Sequence, residues 1–317
     1  MRGAVQRSAL ACSLAVAIAM AAAGCGIGEG DEQAGAGVEL RVTRDFGRTE
    51  LGSERLAPVR EGQTVMRFLR SRFDVDTRFG GRFVQTIDDL PGSLGGAQLD
   101  WFYFVNGIEA GVGASEYELS PGDRVQWDRR NWQATMRVPA IVGAFPEPFR
   151  HGIEGKKLPV RVECEDPGAD PCEEVKRRLR RVGVSASGSA IGVPGAMEAL
   201  RVVVGSWDEA KVVRAVAELE GVPRESGVFA RVAGDGSSLE LLDETGRTAR
   251  RVGPGDGTGI VAATRPTDDE LVWLVIALDG EGLEAAARAL DERRLRNAFA
   301  VAATGDEVEK LPLEGGQ

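Results

Sequence analysis

The sequence contains very little of the chemistry on which catalysis and metal binding usually depend. It has one histidine, two tyrosines and four cysteines among 317 residues. The histidine, His151, lies in a proline-containing stretch, and its surroundings in the sequence suggest no acidic or nucleophilic partner. A general base, an activated nucleophile and a histidine–cysteine metal cluster therefore lack candidates. We expect a protein that is not an enzyme, with no catalytic residues, no metal and no cofactor.

Long hydrophobic runs are also scarce. The run from Ala9 to Ala23 has 15 residues, whereas a membrane-spanning helix needs about 20. Basic residues precede the run, and small residues lead from it to Cys25, a pattern that resembles a bacterial lipoprotein signal with Ala22 where leucine is usual. The resemblance implies that residues 1–24 are a signal peptide and that Cys25 is lipidated, so that the exported protein is anchored to the outer face of the membrane. Plain secretion and an uncleaved anchor are the alternatives.

Residues 25–37 contain the lipidation candidate, Cys25, and then a run of Gly, Ala and acidic residues with no apolar periodicity. We predict that this run is a flexible tether. A Gly-rich coil of about 12 residues would hold the folded part roughly 20 Å from the membrane surface.

The charge balance is acidic. Without residues 1–24 the chain has 37 basic and 49 acidic residues, a net charge of −12. Nucleic acid and anionic lipid are unfavourable partners for such a surface. The remaining length exceeds the usual size of a single hydrophobic core, so we expect two domains.

The cysteines that remain after export and lipidation are Cys164 and Cys172. In an exported protein, two cysteines with seven residues between them predict one structural disulfide. Free thiols and half of a metal site are the alternatives.

The pattern of residues 38–135 predicts short strands around a single helix. Val38–Thr43 alternates apolar and polar residues, as a half-buried strand does. Thr64 is a candidate N-cap before apolar residues at helical spacing. Trp101–Val105 is strongly β-prone and ends at the tight-turn dipeptide Asn106-Gly107. Further strands are expected at Gly52–Pro58, Phe83–Ile87, Tyr117–Leu119 and Asp123–Trp127. This order of elements is that of a β-grasp fold.

A sequence signature follows the predicted helix, and it comprises Trp101–Gly107, Gly111, Gly113, Ala114, Tyr117, Leu119, Pro121–Asp123 and Trp127. Together with Glu61–Val65 it resembles the transcobalamin-like C-terminal domain family, over about residues 38–133. The family also occurs in bacterial envelope proteins. The resemblance implies a β-grasp fold and, by analogy with animal cobalamin carriers, a role in holding a corrinoid. The helical barrel of those carriers has no counterpart here, so a partner protein would have to supply it.

The residues at the end of the signature predict a surface for ligand binding. Trp127 and Trp132 enclose a wholly polar stretch and are expected to present exposed ring faces. Their predicted hydrogen-bonding neighbours in the ligand site are Arg129, Arg130 and Asn131, with Tyr103 and Asn106 completing the set. The alternative is that both tryptophans fold over the core.

A proline-rich connection is expected at residues 136–157, followed by an α/β sandwich domain at residues 158–317. Strand–helix units are predicted from Leu158–Val162 with Cys172–Val182, Leu200–Val204 with Ala210–Leu219, and Leu271–Leu278 with Gly282–Leu290. The glycine-rich run Gly253–Gly259 lacks the features of a phosphate loop and is expected to be a hairpin turn. Trp207 and Trp273 are expected in the core. The predicted class is α+β, an N-terminal β-grasp domain followed by this sandwich.

Taken together, these features favour a non-catalytic envelope lipoprotein that captures cobalamin or a related corrinoid for uptake. An importer or a helical-barrel protein would be its partner. The alternative is an interaction module that binds a partner protein or cell-wall glycan and has no small-molecule ligand.

Overall fold

The structure, a computed structural model, describes residues 32–33, 36–93, 96–195 and 198–315. The predicted signal peptide and the lipidation candidate Cys25 lie outside the described residues. Within the described part of the chain, no helix has the length and apolar character that a membrane span requires.

The strands are β1 (Glu32–Gln33), β2 (Val38–Arg44), β3 (Thr49–Leu56), β4 (Val59–Arg60), β5 (Val75–Arg78), β6 (Phe83–Ile87), β7 (Leu90–Pro91), β8 (Leu99–Val105), β9 (Ile108–Glu109), β10 (Arg124–Asn131), β11 (Val160–Cys164), β12 (Ala186–Ala190), β13 (Leu200–Ser206), β14 (Ala230–Val232), β15 (Leu239–Leu242), β16 (Thr248–Val252), β17 (Thr258–Thr267), β18 (Glu270–Ala277), β19 (Ala300–Thr304) and β20 (Glu307–Leu311). The helices are α1 (Val65–Arg70), α2 (Asp170–Arg181), α3 (Trp207–Ala210), α4 (Arg214–Ala217), α5 (Pro223–Ser226), α6 (Gly280–Ala289) and α7 (Glu292–Leu295). Short 3₁₀ turns span Phe79–Gly81 and Glu218–Glu220.

The N-terminal sheet has the strand order β3-β2-β10-β8-β9. At its centre β2 and β10, the first and last strands of the five, run parallel, and the other neighbours are antiparallel. Helix α1 begins at the predicted N-cap, where Thr64 Oγ1 accepts a hydrogen bond from Arg67 N at 3.2 Å, and its Phe68 and Leu69 are fully buried. This is the predicted β-grasp arrangement. A small sheet, β5-β6-β7, flanks it.

The turn between β8 and β9 shows how local chemistry fixes the hairpin. Asn106 and Gly107 both have positive φ, 54° and 78°, as a tight two-residue hairpin turn requires. A Cβ atom on Gly107 would also lie 2.5 Å from the Ile141 carbonyl oxygen. Glycine is therefore needed here for both its conformation and its small size.

The C-terminal sheet has seven strands in the order β12-β11-β13-β18-β17-β19-β20. The first four run parallel to one another, and the remaining neighbours are antiparallel. Helices α2 and α6 cover one face, whereas α3, α4 and the small sheet β14-β15-β16 lie on the other. Trp273 and Trp207, each in a different core, are both buried as predicted. The α+β class is confirmed.

The face of the N-terminal sheet opposite α1 packs against the C-terminal sheet. Trp101 and Val105 of β8 belong to the core of the N-terminal domain, whereas Phe104 belongs to a core shared by both domains. In that shared core, Phe299 lies 5.4 Å from the Phe104 ring and 5.1 Å from the Phe46 ring. Both faces of β8 are therefore occupied by protein.

Hydrogen bonds between side chains and backbone also cross this interface. Arg41 Nη1 donates to the Gly143 carbonyl oxygen at 3.0 Å, and Gln126 Nε2 donates to the carbonyl oxygen of Asn297 at 3.1 Å. Asn297 in turn donates through Nδ2 to Glu50 Oε2 at 2.7 Å. These bonds satisfy buried polar groups that an apolar contact alone would leave unpaired.

The middle of the predicted proline-rich connection, residues 138–149, is buried. Ile141, Phe145 and Phe149 are almost completely shielded, and the Phe149 ring lies 4.9 Å from that of Trp273. His151 has an acidic neighbour that was not predicted from the sequence. Its Nδ1 lies 2.7 Å from Oε1 of the buried Glu147. The segment thus contributes to the core as well as linking the domains.

The predicted disulfide is confirmed: Cys164 and Cys172 are bonded and join the end of β11 to the first turn of α2. Two residues of the predicted tether, Glu32–Gln33, form β1 and pair with β4.

Three local predictions are wrong. The expected helix at Ala210–Leu219 is divided into short helical segments. Tyr117–Leu119 is not a strand, because its backbone bonds the start of α1, with Val65 N donating to Tyr117 O at 3.1 Å. The run Gly253–Gly259 is not a hairpin turn, because it joins strands of different sheets. Its Gly255 N donates to Asp279 Oδ2 at 2.8 Å, which occupies a backbone group that a phosphate would need.

Candidate functional site

The N-terminal domain contains a cavity of about 540 Å³. It lies between β8, the loop that follows β9, and the start of β6. The lining residues are Arg82, Phe83, Val84, Trp101, Phe102, Tyr103, Glu109, Ala110, Gly111, Val112, Gly113, Ala114, Glu116 and Trp127. Ligand cavities in proteins commonly have about this volume.

A stacked pair of aromatic rings forms part of the wall. β8 and β10 are antiparallel with Tyr103 opposite Trp127, and their rings stack 4.9 Å apart at an angle of 27°. The Tyr103 hydroxyl donates to the Val112 carbonyl oxygen at 2.5 Å, which ties the glycine-containing loop to the strand. Burial raises the pKa of Tyr103, so the hydroxyl keeps its proton. The pair is a preformed apolar surface.

A buried ion pair lies beside the cavity. Oε1 of Glu109 is 3.5 Å from Nη2 of Arg130, whose guanidinium is fully buried. Burial raises the pKa of Glu109 to about 7, although the nearby Arg130 charge opposes that rise. Burial likewise lowers the pKa of Arg130 to about 10. Both pKa shifts favour the uncharged form of the group, because the loss of solvation outweighs the attraction between the two charges. Near neutral pH the Glu109 carboxyl can therefore either donate or accept a hydrogen bond.

The mouth of the cavity carries exposed aromatic and charged side chains. Phe83 is 62% exposed and contacts Phe79, which is 77% exposed, edge to face at 5.8 Å. Arg82 Nε lies 3.9 Å from Glu116 Oε1, both well exposed.

The expectation that Trp127 is exposed is wrong, because only 3% of it is accessible. Its strand, β10, is central in the sheet and pairs with both β2 and β8, so the side chain has protein around it. Its indole Nε1 is buried and has no hydrogen-bond partner among the described residues. Trp132 lies beyond the end of β10, is half-buried, and does not line the cavity. The two tryptophans therefore do not form an exposed pair.

The predicted donors next to Trp127 are engaged within the protein. Arg129 is buried and its Nε donates to the Pro91 carbonyl oxygen at 2.6 Å. Arg130 donates to the carbonyl oxygens of Thr135 and Met136 at 3.1 and 2.7 Å, and its guanidinium lies 3.8 Å from the centre of the Phe102 ring. The expectation that these two arginines are free donors is wrong, since burial requires that they be paired inside the fold.

Asn131 and Asn106 also have internal partners. Asn131 Oδ1 accepts from Gln133 N at 2.8 Å. Asn106 is buried in the hairpin turn, where its Nδ2 donates to Asp123 Oδ1 at 2.8 Å and its Oδ1 accepts from Arg124 N at 2.9 Å. Neither residue lines the cavity. Of the predicted set, the structure brings only Tyr103 and Trp127 to it.

Glu109 and the exposed pair Phe79 and Phe83 were not predicted from the sequence. An available signal for Glu109 was its place inside the signature, one residue after the apolar Ile108. The signal for the phenylalanines was the run Arg78–Phe83, in which two Arg-Phe pairs enclose a Gly-Gly turn. Within the described ranges, no group of three or more His, Cys, Asp or Glu side chains could hold a metal ion.

Residues 62–131 match the model of DUF4430, a domain of unknown function, and every residue that lines the cavity lies within that match. The chain has no match among the curated proteins. It is similar to the crystal structure of a protein from Ruminococcus gnavus that is provisionally described as metal binding. The sequence identity is 17% and the TM-score 0.26, over 30% of this chain and 97% of that one. A likeness of this size carries no argument about function.

Proposed function

We propose that this chain is an exported, lipid-anchored protein that captures a small, partly apolar ligand in the cavity of its N-terminal domain and does no chemistry on it. The observation that carries the proposal is the cavity itself. Its wall includes the stacked pair Tyr103 and Trp127, and the sequence signature supplies much of its lining.

The composition of the wall suits capture. Stacked rings present a rigid apolar surface whose ordering cost has already been met by folding. Few polar groups accompany them: the Glu109 carboxyl and the charged pair Arg82 and Glu116 at the mouth. A few placed polar groups on an apolar wall are what fixes the orientation of a ligand.

A corrinoid is the ligand that the family resemblance implies. A whole corrinoid is larger than this cavity, so we propose that the cavity holds one edge of the ligand. The other half of the clamp would then come from a helical-barrel partner or from an importer. This division of the ligand is consistent with a domain whose other sheet face is already covered by protein.

The test is isothermal titration of cyanocobalamin into the chain from Gly26 onward, which contains every described residue. The wild-type chain should bind saturably, and Val112→Phe should weaken binding at least about tenfold, because it adds volume at the cavity wall. Val212→Phe is the matched control, since Val212 is exposed and does not line the cavity. Equal binding by both variants, or a flat titration of the wild type, would reject the corrinoid proposal.

The alternative, an interaction module for a partner protein or cell-wall glycan, gives a different pattern. It predicts no saturable binding of any small ligand. Capture of a macromolecule by wild type and Val112→Phe alike would favour it.

A further inference from the structure

The N-terminal domain has a basic surface, although the net charge of the whole chain is negative. We define the Phe79 tip as residues 77–83, the end of the β5–β6 hairpin, together with Arg70, whose Nη2 donates to Thr77 Oγ1 at 2.8 Å. The tip contains three arginines and no acidic residue, in a chain whose acidic residues otherwise outnumber its basic ones.

The tip is also the site of exposed aromatic surface. Phe79 and Phe83 contact each other edge to face while most of each side chain remains accessible. In the β5–β6 register Arg78 pairs with Phe83, so the two side chains share one face of the hairpin. Arg78 Nε donates to Gln85 Oε1 at 2.7 Å on that face, and this bond holds its charge beside the ring.

One acidic residue of the hairpin, Asp76, directly precedes the tip in the sequence, and the others lie farther from it. Asp74 and Asp76 precede the tip, and Asp88 and Asp89 lie at the opposite end of the hairpin, about five residues or roughly 15 Å along the strand. Glu116 is the acidic group nearest to Arg82, at 3.9 Å, and an exposed pair at this distance is weak. The tip therefore keeps its positive character.

We propose that the Phe79 tip docks on the surface of an anionic lipid bilayer. Exposed phenylalanines can enter the headgroup boundary while adjacent arginines bind lipid phosphates, which is the combination that interfacial binding requires. Charge complementarity argues for anionic lipid as the occupant, because the three arginines give the tip itself a positive charge in an otherwise acidic chain.

The position of the chain start supports the same occupant. The strand β1, which begins at Glu32, pairs with β4 of the N-terminal domain, and Glu32 is the seventh residue after Cys25. Seven residues span at most about 25 Å. If Cys25 carries the proposed lipid anchor, the domain that bears the tip is held within that distance of the bilayer. Only this distance argument rests on the proposed anchoring.

The test is co-sedimentation of the chain from Gly26, which carries no lipid, with vesicles. One set contains equal parts of phosphatidylglycerol and phosphatidylcholine, and the other contains phosphatidylcholine alone. The wild type should bind the anionic vesicles, and more weakly as salt is raised. Phe79→Ser/Phe83→Ser should reduce this binding at least about tenfold, and Arg78→Ala/Arg82→Ala should remove the preference for anionic lipid.

The matched control is Met136→Ser/Val212→Ser, which removes two apolar side chains that are 61% and 73% exposed outside the tip. It should bind vesicles as the wild type does. Val112→Phe, which fills the cavity, should also bind normally, so docking and ligand capture can fail independently. Absence of wild-type binding to anionic vesicles at low salt, or unchanged binding by the phenylalanine variant, would overturn the proposal. The first of these outcomes would leave a protein partner as the occupant of the tip.

Discussion

Replacing Glu109 by glutamine should change how the stability of the protein depends on pH. The carboxyl is mostly buried beside Arg130, and burial raises its pKa from 4.5 to about 7. A carboxyl with a raised pKa binds its proton more tightly in the folded state than in the unfolded state. Its contribution to stability is therefore fully present below pH 4.5 and is lost as the pH rises through 7.

The size of the effect follows from the two pKa values. A rise from 4.5 to about 7 corresponds to about 3 kcal/mol between the protonated and ionised forms. Glutamine has nearly the same shape and keeps an oxygen that can accept a hydrogen bond, but it does not titrate. Relative to the wild type, Glu109→Gln should become more stable by about 3 kcal/mol between pH 4 and pH 8.

The assay is urea denaturation of both proteins at several pH values across this range. The quantity compared is the difference in free energy of unfolding, because other buried carboxyls with raised pKa values, Asp123 and Asp128, contribute to both proteins and cancel. Any change in the free energy of unfolding that the substitution causes equally at every pH does not affect how this difference varies with pH. A difference that stays flat from pH 4 to pH 8 would refute the placement of Glu109 in a desolvated site.

Three further experiments test the disulfide and the packing of the core. Replacing Cys164 and Cys172 by serine should lower the free energy of unfolding by about 2.5 kcal/mol in urea denaturation, because the unfolded chain loses a short closed loop; an unchanged midpoint would contradict this. Phe46→Ala should cost about 3–5 kcal/mol, measured in the same way, since the ring is fully buried in the core between the domains; a loss under 1 kcal/mol would place the ring outside it. Trp127→Ala should cost a similar amount and Trp132→Ala less than about 1 kcal/mol, and equal effects of these two would contradict their placement.

Much of the N-terminal fold could be predicted because its signals are local. Thr64 caps α1, and the Asn106-Gly107 dipeptide makes the β8–β9 turn, each through chemistry confined to a few neighbouring residues. The disulfide could likewise be inferred from the spacing of Cys164 and Cys172 and from the expected export.

The candidate site was predicted only in part. Tyr103 and Trp127 were identified by their residue type and their place in the signature, and both line the cavity. Glu109 was missed because its pKa depends on burial beside Arg130, which lies 21 residues away in the chain. The Phe79 and Phe83 pair was missed because exposure of an aromatic residue depends on what packs over it, and sequence pattern favours burial.

The amino-acid sequence by itself determined the four longer strands of the N-terminal sheet, the hairpin turn, the single helix and the disulfide. Tertiary structure decided which polar residues are buried. The stretch from Asp128 to Arg130 has the polarity of a surface, yet Asp128 accepts from the backbone N–H groups of Phe46 and Gly47, at 3.0 and 2.8 Å. These partners lie more than 80 residues away, and only the parallel pairing of β10 with β2 brings them together. A polar side chain is buried where the fold supplies its hydrogen bonds, and local sequence does not contain that information.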